Sequence, residues 1–440
     1  MPNANVASRY LEEAIQEVIR NKDQYVTNPG KDFSRNRKLN LKDLIHFILG
    51  MRGGSLTKEM IKYFQKTNVP LTKSAFVQRR QKVKSSAFLA ILHAYNQKCN
   101  FNKTHNGYRL LAVDGSDINI YPNEGDTYIS PTGMKPYSLM HLNAMYDLGN
   151  NIYVDAITQG TRVSNEHAAM LEMCDRIPFE GKCIVIADRG YERFNNIAYF
   201  AESEQLELLL RARHGAGGIR EIANLPMTSL DVDLTIGITT RQTKADKAAK
   251  RHFIQTESKK GKQLGKNTKI RRWDFASPYD LKIRVVRFPL ETGEYETLIT
   301  TLPRDKFSCD ALKDLYHMRW GIETSFRQLK YEIVLSHIHT KGIDTALQEI
   351  FTALINYNYC ESIIGTIVVY QCVKNKHAYV VNHTAAIYLC LDFFEHKKSD
   401  ARALEMAILQ HILPYRPGRR DKRKNIVGKS FCFFTYRVAA

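Results

Sequence analysis

The residues best suited to chemistry lie in Tyr316-His-Met-Arg319-Trp-Gly-Ile-Glu323-Thr-Ser-Phe-Arg-Gln-Leu-Lys330, where one carboxylate stands among three side chains that seek phosphate. At the helical pitch, Arg319, Glu323 and Lys330 fall roughly 60°, 20° and 40° behind Tyr316, so the four share one face. Leu315, Met318, Ile322, Phe326 and Leu329 form an apolar stripe beside them. The segment therefore reads as an amphipathic helix with one edge on a core and the neighbouring edge facing a cleft. Taken alone, such a helix is more often a solvated face held by salt bridges.

Two further acids change that balance. Leu110-Leu-Ala-Val-Asp114-Gly-Ser116 and Cys183-Ile-Val-Ile-Ala-Asp188-Arg-Gly-Tyr191 are each an apolar run ending in an aspartate near a glycine. A short continuous apolar run with a turn signal fits a strand buried on both faces. Its acid then sits at the carboxyl end, where open α/β sheets carry their chemistry. Asp117, Asp155 and Glu166 are competing acids in the same region, and Asp117 would face away from Asp114 if the strand ended at Asp114. A lone Asp-Gly after a strand is ordinarily just a turn.

The elements that must position these residues follow from the pattern along the chain. Strand-like segments at Arg109 to Val113, Ser138 to Tyr146 and Ile152 to Thr158 precede a helical stretch from Glu166 to Cys174. The Cys183 to Ala187 strand, a helix from Asn195 to Glu202 and a strand from Leu206 to Leu210 come next. Alternating segments at Leu230 to Thr239, Leu281 to Phe288 and Tyr295 to Thr301 then surround a basic stretch from Arg241 to Arg272, followed by Trp273.

With the spacing Y-x2-R-x3-E-x6-K complete and the two strand-end aspartates ahead of it, the chain resembles the DDE insertion-sequence transposases that carry the YREK signature. That resemblance implies an α/β fold: an RNase H-like mixed-sheet core of order β-β-β-α-β-α-β-α, interrupted by a mostly β insertion domain that helps hold the transposon end. The expected layout is a helical N-terminal DNA-binding domain (1–105), the first part of the core (106–213), the insertion (214–304), the second part of the core with the signature helix (305–335) and a helical C-terminal region with a basic tail (336–440). It further implies a transposase that cleaves DNA at the element's ends and transfers the freed 3′-hydroxyl to target DNA. Asp114, Asp188 and Glu323 would be the catalytic, metal-holding acids, with Tyr316, Arg319 and Lys330 gripping DNA. The expected partner is double-stranded DNA, at the element's ends and at the target, held by a homodimer in a synaptic complex. Some relatives pass through a hairpin at the transposon end.

The chemistry of the acids agrees with that expectation. Attack on an anionic phosphodiester needs charge neutralisation, a deprotonated nucleophile and a stabilised leaving oxygen, and two divalent ions about 3.5–4 Å apart supply all three. Hard carboxylate oxygens select Mg2+ or Mn2+. Two other readings stand beside this one: an RNase H-like metal-dependent nuclease without strand transfer, and a non-catalytic DNA-binding regulator or relic.

Composition narrows the class. Lys plus Arg exceeds Asp plus Glu by 19, and the isoelectric point is 9.4, which favours a polyanionic partner. The eight cysteines are scattered, with no CxxC pair, against both a zinc site and a disulfide framework. The polar N-terminus carries no secretory signal, and the apolar stretch near Ile363 to Val373 is too short to span a bilayer of about 30 Å. A cytoplasmic, DNA-associated bacterial protein off the membrane is the expectation.

In the N-terminal region, Thr57 to Lys66, Asn68-Val-Pro70 and Thr72 to Val83 form a helix-turn-helix outline. Its second helix offers Lys73, Gln78, Arg79, Gln81 and Lys82 for phosphates and base edges. A plain helical hairpin has the same outline. Trp273 either stacks on an unpaired base or packs within the insertion. The tail from Arg416 to Lys424 is a charge run suited to phosphate backbone.

Overall fold

The computed structural model describes residues 1–35, 37–64, 71–122, 127–128, 137–213, 215–256, 271–333, 335, 338–371, 376–395 and 400–416. The 68–70 turn, much of the basic stretch before Trp273 and the basic tail beyond Arg416 lie outside them. In chain order the first helices are α1 (Ala4–Arg20), α2 (Lys22–Tyr25), α3 (Leu41–Gly50), α4 (Leu56–Phe64), α5 (Lys73–Arg80) and α6 (Ser86–Cys99). Next come β1 (Tyr108–Ile120), β2 (Thr127–Tyr128), β3 (Tyr137–Asp147), β4 (Ile152–Gly160), α7 (Glu166–Arg176), β5 (Lys182–Ala187), α8 (Phe194–Ala201) and β6 (Leu206–Arg211). The following segment holds α9 (Arg220–Ala223), β7 (Leu230–Thr239), α10 (Lys244–Ala248), β8 (His252–Phe253), β9 (Tyr279–Pro289) and β10 (Tyr295–Thr300). The chain continues through α11 (Cys309–Met318), α12 (Trp320–Tyr331), α13 (Ile343–Ile364), β11 (Tyr379–Val380), α14 (His383–Glu395), α15 (Ala401–Gln410) and β12 (Leu413–Pro414). Among the described residues, no helix is long and apolar enough to cross a membrane.

Two compact units divide these elements. One comprises Met1–Lys103, Gly115–Asn165 and Glu323–Ala440; the other comprises Thr104–Asp114 and Glu166–Ile322. The first is organised on α13, which is buried on nearly every side, so it needs apolar residues all round and partners for each polar one. Gln348 accepts from the buried Arg80 guanidinium and donates to Val83 O, while Asn358 both accepts from Tyr153 N and donates to Tyr153 O. Arg80 also reaches Glu349 at 3.0 Å and Thr345 O at 2.6 Å. The last residue of α5 is thereby an anchor for α13 and not part of an exposed face. In the same unit β3 and β4 form an antiparallel hairpin, from Asp147↔Ile152 out to Met140↔Gly160, with a register shift at Met145/Tyr146. Asp147 closes its turn by accepting from Gly149 N and Asn150 N, each at 2.9 Å.

The second unit is built on a mixed sheet. β1 pairs parallel with β5, and β5 pairs parallel with β6. β10 then adds antiparallel to β6 through Leu298↔Arg211 and Thr300↔Leu209, followed by β9 and β7. The β-rich segment after β6 thus extends the sheet by direct pairing. Across β7 and β9 the buried Arg284 forks onto Asp231 at 2.8 and 2.7 Å, a bidentate pair with donor geometry matched to a carboxylate.

One expectation is corrected here. Asp114 does not end its strand, because β1 runs on to Ile120 with Ile118 and Ile120 buried on alternate positions. The Asp-Gly pair resembles a turn, yet the period-two burial beyond it carries the strand forward.

Between α7 and α8, His167 receives a hydrogen bond from Arg193 Nε to its Nε2 at 2.9 Å, so that nitrogen carries no proton. Burial, and then the Arg193 charge, press its pKa from 6.5 down to about 4. The unfolded chain therefore binds a proton that the folded chain refuses between those values, and stability falls as pH drops through that window. We expect a loss of about 2–3 kcal/mol between pH 6.5 and 4 from this residue, and His167→Gln should flatten the acid limb of a thermal-midpoint-versus-pH curve. An unchanged limb in the variant would contradict this.

Candidate active site

The parallel register decides where the first two acids stand. Tyr108↔Lys182 through Val113↔Ala187 are Cα partners, so Asp114 and Asp188 are the next residue on each of two adjacent strands. Neighbouring strands lie about 4.8 Å apart, so the two side chains project from neighbouring positions on the sheet. Leu110, Leu111, Ala112 and Val113 are buried, as are Cys183 to Ala187, which is why both strands read as unbroken apolar runs. Asp188 caps a short 3-10 turn, Arg189–Tyr191, and its carbonyl accepts from Tyr191 N at 2.9 Å.

Two carboxylates this close repel one another, and the end of α11 supplies the counterweight. Arg319, 5% exposed, places Nη1 3.5 Å from Asp114 Oδ2. The Tyr316 hydroxyl donates to Asp188 Oδ1 at 3.3 Å. Burial raises the Tyr316 pKa, Arg319 opposes the rise and Asp188 adds to it, so the hydroxyl stays protonated as a donor. Arg319 also lies within 5.7 Å of the Tyr316 ring centre and 5.4 Å of that of Trp320, a cation held between aromatic faces.

The signature segment is not one unbroken helix. α11 ends at Met318 and α12 begins at Trp320; Arg319 keeps right-handed helical angles, but its N–H bonds back to Tyr316 O and Ile322 N bonds to Arg319 O, the tighter three-residue pattern. Gly321, a poor helix former, sits just beyond. Glu323 lies in the first turn of α12 and Lys330 in its last, both half-buried. Tyr316 and Arg319 belong to the unit that holds Asp114 and Asp188, whereas Glu323 opens the final segment of the other unit.

Two of the competing acids are otherwise engaged. Asp117 accepts from His141 at 2.7 Å, and Asp155, fully buried, pairs with His93 at 2.8 Å. Three residues along a strand from Asp114, Asp117 faces the opposite side. Glu166 belongs with the pair: its Oε2 would lie 3.7 Å from a Cβ at Gly190, and it joins Asp114 and Asp188 in raising the Tyr191 pKa, after burial. The Tyr191 hydroxyl is buried without a hydrogen-bond partner among the described residues.

No three His, Cys, Asp or Glu residues gather as a metal-ligand group among the described residues. Asp114 and Asp188 nevertheless offer adjacent hard oxygen donors of the kind that Mg2+ and Mn2+ take.

The other candidate DNA contacts fall elsewhere. Lys73 is exposed at the start of α5. Arg79 is half-buried: its guanidinium donates twice to Leu39 O, at 2.7 and 3.2 Å, and lies 4.2 Å from the centre of the Phe33 ring. Trp273, half-buried, packs against Phe275 and Tyr279 and donates to Ala276 O at 3.1 Å. Sequence reading missed Glu192, Arg213 and the glycine run Gly215-Ala-Gly-Gly218; their signal was three glycines directly behind a strand.

A family model for the transposase DDE domain matches residues 105–359, more than half of the chain, and the chain belongs to that family. Among curated relatives, the putative InsL transposases of the insertion sequences IS186A and IS186B from Escherichia coli K12 and the IS421 transposase from Escherichia coli are each 35% identical over 66 residues. Those matches cover 15% of this chain and 18% of each relative, so the chain spans under a fifth of the length of the curated relatives it matches. A cryo-EM structure of the piggyBac transposase synaptic complex with hairpin DNA aligns over 97% of this chain and 88% of that one, with TM-score 0.48 and 11% identity, a likeness too loose to bear on the site.

Because Arg319 compensates Asp114, their substitutions should not add. Asp114→Asn and Arg319→Met together should lower the thermal midpoint by less than the sum of the single changes, with a coupling of about 1 kcal/mol. Strict additivity would show that the pair carries no electrostatic load.

Proposed function

We propose that this chain is a transposase that binds the terminal inverted repeats of an insertion sequence, cleaves DNA at the element's ends and transfers the 3′-hydroxyl to target DNA. The observation that carries the reading is the β1–β5 register, which sets Asp114 beside Asp188 with Arg319 and Tyr316 facing them. Family membership supports transposition, and the run of three strands, helix, strand, helix, strand from Tyr108 to Arg211 supports an RNase H-like core.

In this reading Asp114, Asp188 and Glu323 hold two Mg2+ or Mn2+ ions. Bound there, the ions would activate the attacking oxygen and neutralise the phosphodiester. The chain's own groups do the rest. Arg319 balances charge at Asp114 and presents a guanidinium fork to a phosphate, Tyr316 fixes Asp188, and Lys330 adds a point charge about two helix turns beyond Glu323. The first units of DNA recognition are exposed Lys73 on α5 and the basic segments around Trp273. Two ends must be joined, so a homodimer on paired ends is the expected assembly. The net positive charge suits steering of DNA toward the protein.

The test is metal-dependent strand cleavage on a duplex carrying the element's terminal repeat, comparing the native chain with Glu323→Ala. Nicking at the repeat boundary, reduced at least about 1000-fold by the substitution, followed by joining of the 3′ end to a second duplex, is the expected result. Nicking without joining would instead establish a nuclease, and binding without cleavage in both proteins a regulator or relic.

A further inference from the structure

Next to Asp188 lies a cleft of 380 Å3 lined by Asp188, Arg189, Gly190, Arg213 and Gly217. Its walls are built and not incidental. Arg213 lays its guanidinium along the 3-10 turn, donating from Nε to Arg189 O at 2.8 Å and from Nη2 to Gly190 O at 3.0 Å. Both ends of the loop that follows β6 are tied to one buried carboxylate: Glu192 accepts from Arg213 N at 2.5 Å and from Ile219 N at 2.9 Å. The loop's width is therefore set by a residue four positions after Asp188.

The glycines complete the cradle. Gly215 has φ +73°, in the left-handed region that favours glycine, and a Cβ at Gly218 would sit 2.5 Å from Arg213 O. Gly217 differs: nothing lies within 4 Å of its would-be Cβ, yet it lines the cleft. The backbone at Gly217 is therefore open to a ligand entering the cleft. Beside Asp188 the cleft also carries two arginines, Arg189 and Arg213. Arg193 sits in the field of both Arg213 and Arg271, and these like charges, after burial, depress its pKa. An anion in the cleft would relieve that crowding.

The geometry points to a phosphate subsite: Arg189, Arg213 and the glycine loop at 215–218 hold a backbone phosphate of the DNA strand that flanks the one cleaved at Asp188. This inference rests on the transposase reading and deepens it by naming how the strand is held in register. A phosphate contact carries no sequence information but fixes position, so Arg189, Arg213 and Gly217 are positioning residues. Glu192 acts through the loop.

The test uses the full chain and terminal-repeat duplexes in which single phosphates beside the scissile one are replaced by neutral methylphosphonates. One such replacement should raise KM for native cleavage about fivefold or more, with kcat changing less. In Arg213→Gln or Arg189→Gln the same replacement should have no further effect, and the slope of log affinity against log salt should fall by about one for each arginine replaced. Gly217→Val, which fills the cleft without altering charge, should raise KM in the same way. Arg189 is exposed, so its variant guards against misfolding as the cause. Unchanged KM and salt slope in Arg189→Gln and Gly217→Val, or a methylphosphonate effect that persists in full in both arginine variants, would overturn the subsite while leaving the transposase reading intact. Failure of the native chain to cleave any terminal duplex would instead overturn that reading, and the subsite with it.

Discussion

Two like charges held side by side on adjacent parallel strands are the constraint from which the rest of this structure follows. A parallel pair keeps its register through evenly spaced ladder hydrogen bonds, so the Val113↔Ala187 pairing brings the residues that follow to neighbouring positions. Two carboxylates in that position destabilise the folded chain unless cations or donors face them. The protein meets this with Arg319 and Tyr316 at the junction of α11 and α12. That junction departs from regular helix at the residue whose guanidinium faces Asp114, and the irregularity is a single tight turn in which the Arg319 and Ile322 N–H groups stay bonded.

Within the same unit, the neighbouring strands keep this pair fixed. β5 and β6 are parallel and buried, and β10, β9 and β7 extend the sheet beyond β6, so β6 is not left as an edge. Within the other unit α13 serves as a buried post whose polar residues are drawn into specific bonds, with Arg80, Asn358 and Tyr153 joining helix, hairpin and α5. A satisfied network of this kind rigidifies its surroundings, because removing any partner would leave a buried polar group unpaired.

Much of this was legible in the residues. The two apolar runs named their strands and the aspartates that follow them, because burial on both faces leaves no polar alternation. What was not legible depends on contacts distant in sequence. Arg79 looks like a recognition residue on any helical wheel, and only the position of Leu39 O explains where its guanidinium is held. The pairing of β10 with β6 joins segments nearly ninety residues apart, as in Ile299↔Leu210, and periodicity carries no such information. The strand through Asp114-Gly115 was obscured because the local turn signal outweighed the alternation of Ile118 and Ile120 behind it. Glu192 was overlooked for a similar reason: its partners are backbone amides on a loop more than twenty residues away.

The account stands on Asp188 being a ligand to the reacting metal, and changing the ligand's softness tests that most directly. Asp188→Cys should abolish end cleavage in Mg2+, which takes hard oxygen donors, and recover a measurable part of it in Mn2+, which tolerates a thiolate better. Cleavage by the Asp188→Cys protein that is equally strong in Mg2+ and native in extent would contradict the assignment, as would loss in both ions together with native-like cleavage by an Asp188→Ala protein.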